Sequence, residues 1–200
     1  MSSAPLPSPR RRLSREDRFR QLIAMSRRII CEEGVDTLTL GYLAERSGVT
    51  KPVVYDHFGT RSGLLVALYQ DYDIRQTAVM DAAIAASADS LEAKARVIAD
   101  CYVDCVSQQG REIPGVLAAL ACSPELEATK RDYQTAFLEK CRTVLAPFAA
   151  GIPTPRLWAI LGAADALSTE AAVGGITADQ AKDELAHVIV AAVSGPGSRP

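Results

Sequence analysis

Apolar side chains recur at intervals of three and four residues along most of this chain of 200 residues. Phe19, Ile23 and Ile30, for example, are spaced so that they share one face of a helix of about 3.6 residues per turn. Stretches in which apolar and polar residues alternate between hairpin turns, as in a β-sheet, are absent from the sequence. The pattern predicts an all-α protein.

Capping residues divide the first part of this pattern into short helices. Ser14 can cap the N-terminus of a first helix, which Gly34 ends. Thr39 and Thr50 can cap the next two helices, and Gly48 allows a tight turn between them. Two short helices joined by such a turn form a helix-turn-helix, so the sequence predicts a three-helix head.

The remainder of the chain keeps the helical pattern. We expect further helices at 61–86, 90–108, 112–121, 124–148, 155–173 and 178–194. The predicted organisation is therefore a disordered arm (1–13), a helix-turn-helix domain (14–60), a helical-bundle body (61–194) and a disordered tail (195–200).

Charge is distributed unevenly between head and body. The formal net charge of the chain is −2. Residues 1–65 contain eleven basic and seven acidic side chains, a net charge of +4, whereas residues 66–200 contain eleven and seventeen, a net charge of −6. A basic head on an acidic body indicates that only the head approaches a polyanion.

The sequence disfavours several classes of protein. It has no run of about 18 apolar residues, so we expect no transmembrane helix and no membrane partner. The N-terminus lacks the apolar stretch of a signal peptide, which favours the cytoplasm. The motifs of serine hydrolases, nucleotide-binding loops and zinc proteases are missing, so we expect no enzyme, no catalytic residue, no cofactor and no metal.

The chain has five cysteines, an odd number, and no pair of them is separated by two residues. Reduced, buried thiols are therefore expected rather than a disulfide framework. Cys101 and Cys105 are four residues apart and share a helix face. Core packing is the favoured interpretation of this pair, and a thiol sensor of oxidants or a soft-metal site is the alternative.

Several short motifs occur together in the head. They are Glu33-Gly34, Leu38-Thr39-Leu40, Leu43-Ala44, Gly48-Val49-Thr50, Tyr55-Asp56-His57-Phe58, Thr60-Arg61 and Leu64-Leu65. In this combination they resemble the TetR family of bacterial transcriptional regulators, although no single motif would suffice. The length of the chain and its helical remainder also fit that family.

The resemblance implies that the head binds a double-stranded DNA operator. Thr39 would hold a phosphate at a helix N-terminus. Lys51 would donate to a guanine, and Val53 would touch a thymine methyl group. Tyr55 and His57 match positions that contact the DNA backbone. The expected DNA-binding residues are Thr39, Thr50, Lys51, Pro52, Val53, Tyr55, His57 and Arg61.

Two residues depart from the usual pattern of the family. Gly41 stands where many relatives carry a polar or charged residue, and Val53 stands in place of a small or hydroxylated one. Both reduce readout of bases by hydrogen bonds, so the resemblance does not predict the operator sequence.

The resemblance also implies that the body binds a small-molecule effector and joins two chains. A mixed apolar and hydroxyl lining would suit an apolar or aromatic compound. The candidate ligand-binding residues are Met80, Cys101, Tyr102, Cys105, Leu117, Tyr133, Phe137 and Cys141. The candidate dimer-interface residues, on the last two helices, are Trp158, Leu161, Gly162, Asp165, Leu185, Val188, Ile189 and Ala192.

These observations predict a ligand-released repressor that acts as a homodimer on a palindromic operator. Three alternatives remain open. The first is an activator or a regulator that needs no ligand. The second is a helical small-molecule-binding protein whose head no longer binds DNA. The third is a redox-responsive regulator that works through its thiols.

Overall fold

The computed structural model describes residues 13–109, 116, 119, 124–149 and 151–195. In this part of the chain the regular structure is entirely helical, which confirms the all-α prediction. The helices are α1 (Arg15–Glu33), α2 (Leu40–Ser47), α3 (Lys51–Phe58), α4 (Arg61–Ala86), α5 (Leu91–Gln109), α6 (Pro124–Leu145), α7 (Thr154–Val173) and α8 (Ala178–Ser194). No helix of the described ranges is long and apolar enough to cross a membrane.

The predicted caps define the helices of the head. The Ser14 hydroxyl accepts a hydrogen bond of 3.0 Å from the backbone N–H of Asp17. The Thr39 hydroxyl accepts one of 3.1 Å from the N–H of Tyr42. Each bond satisfies a helix N–H that has no partner within its own helix, so these two residues set where α1 and α2 begin.

Most predicted helix ranges agree with the structure. The ranges 61–86 and 178–194 coincide with α4 and α8. The predicted helix 124–148 was too long, because α6 ends at Leu145 and a short 3-10 turn follows. Pro147 lies in that turn and has no backbone N–H to donate to an α-helix. The predicted arm, tail and helix 112–121 fall almost wholly outside the described residues.

Buried side chains form two separate hydrophobic clusters. The first, which we call the head core, is built from α1 to α3 together with the first turns of α4. The second, the body core, is built from the end of α4 and from α5 to α8. Within the body, α5 packs against both α8 and α7, and α7 packs against α8.

Helix α4 belongs to both cores. Leu64, Leu65 and Leu68 are buried in the head core, whereas Met80 is buried in the body core. About 1.5 Å of rise per residue separates Leu64 from Met80 by roughly 24 Å along one helix. The predicted boundary at residue 60 therefore lies within a continuously packed region, and the division into domains stays a prediction.

Gly63 lets α4 start directly behind α3. A Cβ atom added at Gly63 would lie only 2.1 Å from the carbonyl oxygen of Phe58, which is backbone and cannot move aside alone. The N–H of Gly63 also donates a hydrogen bond of 3.0 Å to the Thr60 hydroxyl. Only glycine permits the Phe58 carbonyl group to lie so close to α4. The spacing of apolar residues does not predict this need for glycine.

Substituting Gly63→Ala should therefore lower the free energy of unfolding by about 1–3 kcal/mol, the usual cost of overpacking. Urea unfolding followed by circular dichroism, at fixed protein concentration, measures the change. Gly41→Ala is the matched control, because a Cβ there would lie 3.6 Å from Lys51 Cε, an ordinary contact. We expect the control to gain up to about 1 kcal/mol from helix propensity. Equal effects of the two substitutions would contradict the steric account.

Candidate nucleic-acid interface and ligand cavity

A tight turn sets the angle between α2 and α3. Gly48 adopts the left-handed conformation, with φ 65° and ψ 34°. Val49 donates its N–H to the carbonyl oxygen of Ala44 at 3.0 Å, which closes the end of α2. Leu43 and Ala44 are buried below the turn. Because a residue with a Cβ is strained in this conformation, glycine fixes the geometry of the helix-turn-helix.

Helix α3 has one buried face and one exposed face. Val54 and Phe58 pack into the head core. Lys51 and Pro52 are exposed at the first turn, and the Tyr55 side chain is 52% exposed, which is unusual for so large an aromatic residue. A rigid helix that presents these side chains to solvent has the dimensions that the DNA major groove accepts.

The two threonines that were predicted to bind DNA differ in their hydrogen bonds. Thr39 caps α2 with its hydroxyl. Thr50 occupies the N-cap position of α3, but its side chain makes no capping hydrogen bond within the described ranges. Both stand at helix N-termini, where unpaired backbone N–H groups and the helix dipole favour a phosphate.

Gly41 provides room for Lys51. The Lys51 ammonium lies 3.9 Å from the place where a Cβ of Gly41 would stand. A longer side chain at position 41 would occupy the space beside α2 in which the Lys51 side chain lies. Position 41 therefore has no polar side chain of its own, but the Lys51 ammonium places a positive charge at the same surface.

His57 lies half-buried between α1 and α3. Its ring centroid is 6.1 Å from that of Phe19 and 6.0 Å from that of Phe58. Burial lowers the pKa of His57, and the positive charge of Arg15 lowers it further. The imidazole is therefore biased toward its neutral form, which contacts a phosphate by a neutral N–H rather than by a full charge.

Arg61 joins the start of α4 to the segment before α2. Its Nε donates to the carbonyl oxygen of Leu38 at 2.9 Å, and a terminal nitrogen donates to that of Val35 at 2.8 Å. These hydrogen bonds hold the start of α4 against the segment that precedes α2. A phosphate contact by Arg61 stays a prediction.

A polar network that the sequence did not predict links the end of α1 to α2. The Tyr42 hydroxyl donates to Glu33 Oε2 at 2.8 Å. Arg46 forms an ion pair with the same Glu33 and a second one of 3.3 Å with Glu32. The partners are 9 to 14 residues apart, so no local spacing signals the network. It fixes the orientation of α2 against α1.

The body contains a cavity of about 170 Å³ between α4, α5, α6 and α7. Six predicted ligand-binding residues line it, namely Met80, Cys101, Tyr102, Cys105, Tyr133 and Phe137. Leu117 lies outside the described residues. Cys141 does not line the cavity, because it is only 1% exposed and packs in the body core. Among the polar lining residues that the sequence missed are Tyr72 and Asp73 of α4 and Asp165 of α7.

The phenols of the cavity stay protonated. Burial raises the pKa of Tyr69 to about 12, and burial likewise raises the pKa of Tyr72 and of Tyr102. Tyr102 donates a hydrogen bond of 2.5 Å to a carboxylate oxygen of Asp165. The cavity therefore offers neutral hydroxyl groups and ring faces, together with carboxylates.

The surroundings of the thiol pair favour the protonated thiols. Burial is the main cause that raises the pKa of Cys101 and that of Cys105, which disfavours the reactive thiolate. Cys105 also shares a hydrogen bond with the Tyr72 hydroxyl. The described residues contain no disulfide and no cluster of metal-ligating side chains.

The last two helices bury part of the predicted dimer interface within their own chain. Leu161, Leu185 and Ile189 are 4%, 0% and 0% exposed and pack in the body core. Because their own chain already covers them, the structure does not favour these three as contacts of a partner chain, and their assignment to the interface stays a prediction. Gly162 and Asp165 are exposed, whereas Trp158, Val188 and Ala192 are half-buried, and these five remain candidates.

Comparison with known proteins identifies the head. Residues 22–68 match the family model of bacterial regulatory proteins, tetR family. A segment of 59 residues is 34% identical to the HTH-type transcriptional activator FasR of Mycolicibacterium smegmatis. That segment is 30% of this chain and only 27% of the activator.

Solved structures extend the likeness to the whole fold. A TetR-family transcriptional regulator from Streptomyces coelicolor is 18% identical, with a TM-score of 0.69 over 90% of this chain and 97% of that one. The fatty acid degradation regulator FadR from Bacillus halodurans is 16% identical, with a TM-score of 0.68 over 89% and 99%. At these identities the likeness concerns the fold alone.

The environment of His57 predicts its titration. The midpoint of the His57 titration, followed by NMR, should lie below 6.5, the ordinary pKa of histidine, because burial and the charge of Arg15 oppose the charged form. A folded pKa below the unfolded one means that the unfolded chain binds more protons, so stability falls as pH decreases from the unfolded toward the folded pKa. Arg15→Gln should raise the midpoint, whereas Arg28→Gln, on the same helix but paired with Glu32, should not. A midpoint unmoved by Arg15→Gln would contradict this account.

Proposed function

We propose that the chain, whose residues 22–68 match the model of the TetR family of bacterial regulatory proteins, is a transcriptional repressor of that family that binds a palindromic operator as a homodimer and releases it when a small molecule enters the body. It would act in the cytoplasm, where bacterial DNA lies. The observation that carries the proposal is the exposed face of α3, held rigidly by a buried face and a glycine turn.

The composition of the exposed face supports DNA as the partner. Lys51 supplies a cation and Tyr55 a hydroxyl beyond a half-exposed ring. The helix N-termini at Thr39 and Thr50 add backbone N–H groups for phosphates. In a major groove, Lys51 would donate to guanine and Val53 would contact a thymine methyl group.

A palindromic operator requires two heads about 34–36 Å apart, and each chain has one head. The outer face of α7 favours close approach of a second chain, because Ala159, Gly162 and Ala166 are small and exposed. Among the described residues, no atom outside the adjoining turns of α7 lies within 4 Å of a Cβ added at Gly162. We place the dimer interface on this face of α7 and on the adjacent Val188 and Ala192 of α8.

Helix α4 supports a coupling between ligand and DNA. Tyr69, Tyr72 and Asp73 line the cavity, and they lie within the five residues of α4 that follow Leu68, which is buried in the head core. A ligand that displaces these side chains would move the helix on which the head is mounted. A coupling of about 1–3 kcal/mol changes operator affinity by roughly 5–150-fold.

An activator is the second candidate, since the relative from Mycolicibacterium smegmatis is named a transcriptional activator. The name of the Bacillus halodurans regulator points to fatty acid degradation, but its likeness to this chain concerns the fold alone. The redox alternative is weakened by the raised pKa of both Cys101 and Cys105.

Operator binding tests the proposal. Fluorescence anisotropy should detect tight, salt-sensitive binding of the full chain to its own upstream DNA or to a duplex selected from random sequences, with two or more chains per site. Lys51→Ala should weaken it by about 1–3 kcal/mol per head. Lys130→Ala, which removes the same charge from α6 in the body, should leave it unchanged. Equal and weak binding to selected and unrelated duplexes would favour the carrier instead.

The α7 face predicts a specific way to separate the chains. Gly162→Arg fits the isolated chain, since the space beyond Gly162 is open, but it would place a long charged side chain between two protomers. Sedimentation should report a monomer with weakened operator binding. Ala82→Arg, at an exposed position of α4, should remain a dimer. If Gly162→Arg also remains a dimer, the interface lies elsewhere.

A further inference from the structure

The cavity of the body has a distinct charge. Asp73 of α4 and Asp165 of α7 both line it, and no lysine or arginine is present among its described lining residues. Lys140 is the cation whose charge lowers the pKa of Asp73, and its ammonium lies 2.5 Å from Asp81, with which it is paired. The described wall therefore contributes two carboxylates without an internal counter-charge.

The two carboxylates are held in different ways. Burial raises the pKa of Asp73, which indicates that its charged form is poorly solvated there. Asp165 accepts the Tyr102 hydrogen bond through one oxygen, Oδ1. A carboxylate has further lone pairs, so Asp165 can also accept from a ligand. A positively charged ligand would compensate both groups at once.

Aromatic rings form much of the remaining wall. Tyr69 and Tyr133 are in edge contact, with centroids 5.0 Å apart and planes at 71°. Tyr102 and Phe137 lie 5.5 Å apart, and Tyr72 completes the set. The faces of such rings attract ammonium and quaternary ammonium groups, and more strongly so when water is excluded.

The size of the cavity limits its occupant. At about 170 Å³, it is close to the roughly 150 Å³ of a protein cavity that holds one benzene ring. A ligand of one ring, or an alkyl group of similar size, would fill it. The carboxylate of a fatty acid would face two like charges there.

We propose that this cavity takes a compact organic cation, such as an aromatic or alkyl amine or a small quaternary ammonium compound, with its charge between Asp73 and Asp165 and its apolar part against the tyrosine rings. The proposal rests on the proposed function, in which the cavity holds the effector, and it specifies the chemical class of that effector.

Small molecules of different charge test the proposal. Calorimetric titration of the full chain at neutral pH would compare benzylammonium and benzyltrimethylammonium with benzyl alcohol, benzoate and decanoate. We expect the cations to bind at least about tenfold more tightly than benzyl alcohol, because an opposite charge inside a protein is weakly screened. Benzoate and decanoate should bind more weakly than benzyl alcohol. Equal affinity for cation and alcohol, tighter binding of either anion, or no binding of any cation would overturn the proposal.

Single substitutions locate the charge. Asp73→Asn and Asp165→Asn keep the shape of the side chain and should each weaken the binding of benzylammonium about fivefold or more, while that of benzyl alcohol changes less than about twofold. Asp183→Asn is the matched control, since it removes the same charge from an exposed site on α8 that pairs with Arg96. A loss of cation affinity that is equal in Asp183→Asn would place the effect outside the cavity. Circular dichroism verifies that each variant is folded. The comparison of cations, alcohol and anions on the unmodified chain tests the proposal independently of any variant.

The anisotropy assay separates this proposal from the proposed function. If benzoate or decanoate fills the cavity and releases the operator, the regulator stands and the ligand class is wrong. If cations fill the cavity as expected but operator affinity stays the same, the ligand class stands and release by ligand is wrong.

Discussion

The packing of α4 into two cores is the constraint on which the rest of the structure depends. Leu64, Leu65 and Leu68 bind one end of the helix to the head, and Met80 binds the other end to the body. Close-packed interiors resist continuous deformation, so a displacement of the helix in the body is passed on to the head rather than absorbed. Because Gly63 allows the carbonyl group of Phe58 to lie against the first turn of α4, α3 would follow that displacement.

Local rules predicted the head well. N-caps, a left-handed glycine and apolar spacing are properties of a few neighbouring residues, and they were enough to place α1, α2 and α3. Contacts between distant residues were not predictable in this way. Arg61 matches a family position near a phosphate, yet it donates to carbonyl oxygens 23 and 26 residues earlier in the chain. The link from Glu33 to Arg46 is missed for the same reason.

In the body, periodicity identified the buried faces but not what covers them. Leu161 and Ile189 have the spacing expected of an interface, yet the chain itself buries them. An apolar residue that meets its own chain and one that meets a partner obey the same pattern. Cys141 shows the equivalent limit for the cavity, since it shares a face with Phe137 on α6 but lies in the core. Asp73 and Asp165 were missed as cavity residues because polar positions carry no hydrophobic period.

The position of Asp165 joins two properties that sequence reasoning treated separately. It lines the cavity, and it stands one helical turn from Gly162 on α7, on the face that we assign to the partner chain. A ligand held between Asp73 and Asp165 would therefore contact both the helix that carries the head and the helix that carries the dimer face. In the proposed dimer, operator affinity would depend on the distance between two heads, so a ligand at this junction would change both the tilt of each head and its separation from the other.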